Sequence, residues 1–225
     1  MLKTTHIRAF LENNKEMSNM EEKKIPNATL VLPKNYKLSH TIDMQTNKKK
    51  AFLVNLIAIL AGVAIAVPMI FLVPIGNLFD MGDQSGKAIF LYVLRFVVLL
   101  VGTIVYMILH ELIHALFMRI FGATRIKFGF NGFFAYAGSE HEYFKKGPYI
   151  IIALAPVVIF FIIYAAICPF IYTTSWFWVV YFWQIQNISG AAGDIYVSIK
   201  FAKAPKDAYI KDSGTYMELF VPKSK

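Results

Sequence analysis

Residues 88–121 read AIFLYVLRFVVLLVGTIVYMILHELIHALFMRIF. The stretch stays apolar for more than the roughly 18 residues that mark a membrane-crossing helix, yet its last third holds His110, Glu111 and His114. Residues four apart on an α-helix lie one turn apart on one face, so both histidines can aim a ring nitrogen at one metal ion. Glu111 projects about 100° further round, close enough to take a proton from a water on that ion without ligating it. H-E-x-x-H is a zinc pattern, and chance placement of the five histidines and the glutamates gives roughly 0.004 occurrences in this chain. Three ionisable groups at membrane depth are costly without a function.

Working outward, the chain is 57% hydrophobic with a mean hydropathy of +0.52, far above a soluble domain. The expected fold is an all-α polytopic membrane protein with four transmembrane helices, at about 51–73, 88–121, 149–171 and 176–199. A polar segment, 1–50, precedes this core and a basic tail, 200–225, follows it. At ~1.5 Å per residue the second helix is about 50 Å long, more than a ~30 Å bilayer core needs, so it must tilt or project. Gly122 is its expected stop. Between the second and third helices, residues 127–138 are rich in glycine and aromatics, and Asn131-Gly132 predicts a short β-hairpin-like loop. Short strands are also expected around 29–42 and in the tail, at 208–210 and 216–221.

The net charge of +9 does not point to nucleic acid, because the cations gather beside the apolar runs and form no basic-aromatic surface. Lys48, Lys49, Lys50, Arg119, Arg125, Lys127, Lys145, Lys146, Lys200 and Lys203 fall on one side of the four spans, and Lys87 alone on the other. That bias predicts both termini in the cytoplasm of a multi-pass membrane protein. Residues 1–50 contain no apolar signal region, so the first span is expected to direct insertion. Arg95, near the outer end of its span, is expected to snorkel outward. The single cysteine, Cys168, excludes a cysteine-based zinc site and reads as a small buried hydrophobe.

Catalytic zinc takes three protein ligands and a water, so two histidines leave one ligand missing. Asp194 is the favoured candidate. The H-E-x-x-H is centred seven residues before Arg119 and Asp194 lies six before Lys200, so both sit roughly 9–10 Å short of the cytoplasmic edge. This holds if Gly190 and Gly193 do not break the fourth helix. Glu140, His141 and Glu142 in the loop are alternatives. His6 and His40 sit on no defined geometry.

The order of these features carries a resemblance. An H-E-x-x-H membrane helix, a Gly/aromatic loop, a helix opening with Ala153-Leu-Ala-Pro156, and Asn187 and Asp194 on a later helix together look like the site-2 protease family of intramembrane zinc metalloproteases. More closely, about residues 30–222 resemble a family of small bacterial membrane zincin peptidases, through Leu32-Pro-Lys-Asn-Tyr36, Ser189-Gly-Ala-Ala-Gly-Asp194 and Pro205-Lys-Asp-Ala with Lys211-Asp-Ser-Gly214. The resemblance implies zinc on His110, His114 and Asp194, Glu111 as catalytic base, and Asn187 as a polar residue near the substrate. The chain departs from the site-2 pattern in having Ile195 after Asp194, glycine and alanine in place of intervening prolines, and no PDZ-like insertion.

The expected activity is therefore an intramembrane zinc-dependent peptidase in the bacterial cell membrane. It would hydrolyse membrane-embedded or membrane-associated peptide substrates near the cytoplasmic face. The alternatives are a zinc-binding transporter or sensor that does not hydrolyse, and a membrane scaffold.

Overall fold

The computed structural model describes residues 27–44, 46–130 and 135–223. The first helix, α1 (Lys48–Leu72), starts where the Asn47 side chain accepts from the Lys50 N–H at 3.0 Å, and ends before Pro74. After a short 3-10 turn, Ser85 caps α2 (Gly86–Ile120) in the same way. The expected stop at Gly122 is present. Gly122 has φ +109°, the Gly122 N–H bonds Arg119 O at 3.1 Å, and the Ala123 N–H bonds Met118 O at 2.8 Å. This is a Schellman cap, which needs the left-handed backbone that glycine adopts without strain.

Among the described residues, three helices are long and apolar enough to cross a membrane: α1, α2 and α3 (Lys146–Ile171). Their large apolar side chains point outward, Phe71 and Phe170 being more than four-fifths exposed, an arrangement compatible with a lipid surround. The expected fourth span is broken. It forms α4 (Phe177–Gly190) and α5 (Ala192–Ala202), with Ala191 between them. The run Ser189-Gly190-Ala191-Ala192-Gly193 explains the break, since each glycine costs a helix interior about 1 kcal/mol relative to alanine. Three of the four expected spans are thus single long apolar helices, and the count of four transmembrane helices is not confirmed.

Nor is the chain all-α. Among the described residues six strands form an antiparallel sheet: β1 (Ala28–Thr29), β2 (Tyr36–Asp43), β3 (Lys127–Phe130), β4 (Ala135–Lys145), β5 (Tyr209–Asp212) and β6 (Tyr216–Pro222). The order is β1-β4-β5-β6-β2, with β3 paired to the first part of β4. The expected hairpin is β3–β4, widened by strands from both ends of the chain. Its Asn131-Gly132 turn lies outside the described residues.

The sheet sits at the end of the bundle where α2 finishes and α3 begins. Phe144, Ile210, Leu219 and Ile42 from the strands share one core with Met118 of α2, Tyr149 and Ile152 of α3, and Val197 and Phe201 of α5. Helices α2 and α4 approach closely at Gly102, where any Cβ would collide with the Trp183 ring. Trp183 also donates its indole N–H to Leu99 O at 3.2 Å. Arg95 is buried rather than snorkelled: it lies over the Tyr92 ring and donates to the carbonyl of Asp80 in the preceding connection.

Candidate metal centre

The spacing of His110 and His114 does what the helix period requires. Both rings lie buried on one face of α2, with centroids 4.9 Å apart. Ligand atoms of His110, Glu111 and His114 all lie within 4.8 Å of one another, a group able to hold a metal ion. Asp194, in the first turn of α5, joins them. Its Oδ2 is 3.3 Å from His110 Nε2 and 3.5 Å from His114 Nε2. The helix break has not pulled Asp194 away. It makes Asp194 a first-turn residue, where a carboxylate also meets the positive end of the helix dipole.

These residues fit zinc. With bonds of about 2.0–2.2 Å to nitrogen and oxygen, tetrahedral ligand atoms sit roughly 3.3–3.5 Å apart, the separation seen here. The other ring nitrogens are engaged as a metal site demands. His114 Nδ1 is 2.9 Å from Ile152 O, and a carbonyl only accepts, so Nδ1 carries a proton and the neutral ring has its lone pair on Nε2. His110 Nδ1 is 3.1 Å from the Tyr106 hydroxyl, which lies 3.2 Å from Asn187 Oδ1. The Asn187 Nδ2 group donates to Val157 O at 3.0 Å, which fixes the amide's orientation. Tyr106 therefore donates to Asn187 and accepts from His110 Nδ1–H, leaving the lone pair on Nε2 for this ring as well.

Asn187 is 0% exposed and its carboxamide is committed to Tyr106 and Val157. Sequence reasoning missed Tyr106 altogether. Its signal was available, because it stands one helical turn before His110 on the same face.

The loop alternatives lie elsewhere. Glu142 is buried in the sheet, accepting from Thr124 N–H at 2.8 Å and from the Thr124 and Ser139 hydroxyls. Burial alone would raise its carboxyl, but these hydrogen bonds outweigh burial and hold it below the usual carboxylate range. Glu140 pairs with Lys127 at 2.5 Å on the surface, and His141 is exposed. His40 is exposed on β2, and His6 lies outside the described residues.

A cavity of about 890 Å³ opens on this group. Glu111, His110, His114 and Asp194 line it, with Ala137 of β4 and Asn55 of α1 among its other walls. Its floor includes Asp212, to which the Tyr149 hydroxyl donates at 2.7 Å. Burial pushes the Asp212 carboxyl above the usual range, against the pull of that hydrogen bond.

No curated protein and no solved structure matches the chain. A family model described as "Putative zincin peptidase" matches residues 103–209, from the middle of α2 through H-E-x-x-H and Asp194 to the start of β5. In that segment the chain is similar to a zinc metallopeptidase family, and zinc is the metal that the similarity and the His110–Glu111–His114 group together imply.

Proposed function

We propose that this protein is an intramembrane zinc-dependent peptidase of the site-2 type, hydrolysing peptide bonds of membrane-associated substrates near the cytoplasmic face. The observation that carries the reading is the convergence of Asp194 Oδ2 on both Nε2 atoms, with Glu111 on the wall of the same cavity. His110, His114 and Asp194 would hold the ion. Zinc, when bound, would lend Lewis acidity to a scissile carbonyl and lower the pKa of a water molecule toward about 7.

The remaining steps belong to the chain's own groups. Glu111 takes the proton of the attacking water on its carboxylate and passes it to the departing amine. Tyr106 and Ile152 O keep the two rings in one tautomer and one orientation throughout. Residues 135–137 of β4 pair with β3 on one edge. Among the described residues no strand pairs with the other edge, so an extended substrate segment has a backbone to add to beside the cavity. A substrate helix must unwind to use that edge, because its carbonyls are otherwise held in its own hydrogen bonds. The membrane setting is supported by the apolar helix that carries the motif, and the cytoplasmic depth by the ten-to-one cation bias.

The test is metal analysis of the purified full chain. The reading expects about one zinc per chain, lost when His110 and His114 are both changed to alanine. A wild type without zinc, or a double variant that keeps it, would sink the proposal.

A further inference from the structure

Pro156 sits in the interior of α3 and is fully buried. Proline has no N–H, so the carbonyl four residues earlier, that of Ile152, lacks its helical donor. In a membrane such a carbonyl must find another partner, and a neighbouring helix commonly supplies it. Here the partner is His114 of α2, whose Nδ1 lies 2.9 Å from Ile152 O with both groups buried.

We infer that Pro156 is a positioning residue of the metal centre: by withholding an N–H from the Ile152 carbonyl, it reserves that acceptor for His114 Nδ1–H. The consequence is local and directional. With the acceptor reserved, the His114 ring has one orientation, its proton is on Nδ1, and its Nε2 lone pair faces Asp194. An amide N–H at position 156 would lie along the helix axis and draw the Ile152 carbonyl toward it, away from the histidine. The inference rests on the zinc site proposed above and adds to it a residue that never touches the ion.

The experiment measures zinc affinity of the full chain in detergent by competition with a chromogenic chelator, together with thermal unfolding of the zinc-free protein. Pro156→Ala should bind zinc about 10–100-fold more weakly, the usual effect of losing a contact that orients a ligand. Its zinc-free Tm should be unchanged or higher, because the helix gains a hydrogen bond. A loss of affinity together with a lower Tm would make Pro156 merely structural.

Lactic acid placed at 156 by nonsense suppression gives an ester, which lacks both the N–H and the ring. It should restore nearly wild-type affinity, and it decides the matter even if the alanine variant fails to fold. Pro169→Ala, in the same helix and lipid-facing, should leave affinity unchanged. Wild-type affinity in folded Pro156→Ala, or a lactate variant as weak as the alanine one, would overturn the inference. A wild type that binds no zinc would instead overturn the function proposed above.

Discussion

Tyr106 of α2 and Asn187 of α4 share a buried 3.2 Å hydrogen bond, and it links α4 to His110 through the Tyr106 hydroxyl. With Asn187 locked by Val157 O, the Tyr106 hydroxyl has one direction left for its proton and presents its oxygen to His110 Nδ1. Tyr106→Phe keeps the ring contacts with Phe160 and Tyr164 but removes the hydroxyl. Zinc affinity should fall about 10–100-fold with the fold intact. Asn187→Ala should produce the same loss, and the double variant no more than either alone, since all three remove one relay. Additive losses would show that the two residues act separately.

The third ligand has its own test. Asp194→Ala should lower zinc occupancy as severely as His114→Ala, since each removes one of three protein ligands. Glu142→Gln and His141→Ala should retain zinc. Full occupancy in Asp194→Ala with loss in either loop variant would move the ligand into the loop.

Glu142 has a different part to play, in the pH dependence of the sheet. Its carboxyl is held below the ordinary range by Thr124 and Ser139 against the opposing effect of burial. A depressed folded pKa contributes stability that is complete above the unfolded value of about 4.3 and is lost as pH falls through the lower folded value. Glu142→Gln should therefore cost about 1–3 kcal/mol at pH 7. The gap between variant and wild type, measured by denaturant unfolding, should narrow below about pH 4. An equal gap at pH 7 and pH 3 would contradict the assignment.

Much of the centre was legible before any coordinates, and the reason is geometric. His110, Glu111 and His114 are placed by the helix period alone, and Gly122 stops α2 because few other residues accept φ +109°. Asp194 could be matched to the histidines in depth by counting residues to Arg119 and Lys200. The sheet could not be assembled in that way. Its strands come from 28–43, 127–145 and 209–222, each short, and nothing local specifies that β2 pairs with β6 across more than 170 residues. The break at Ala191 was half visible, in two glycines whose weak helix propensity tertiary context can override. Glu142 looked like a metal ligand because its partners, Thr124 and Ser139, are set by the fold and leave no pattern along the chain.

Orientation follows from the cation bias. With Cys168 replaced by serine, a cysteine at position 80 should react with an impermeant thiol reagent added to intact cells, and one at position 215 should not. External labelling at 215 would invert the topology and remove the cytoplasmic depth assigned to the site.

The central claim, that this centre hydrolyses peptide bonds, falls most directly on Glu111. Glu111→Gln keeps the side chain's shape and one carbonyl oxygen but cannot accept the water's proton. Turnover of a membrane peptide cleaved by the wild type should be measured for both proteins at equal zinc occupancy. The account predicts unchanged zinc binding and a rate lower by about 10²–10⁴-fold, the usual contribution of a general base. Equal turnover in the two proteins would contradict it and leave a metal centre without this chemistry.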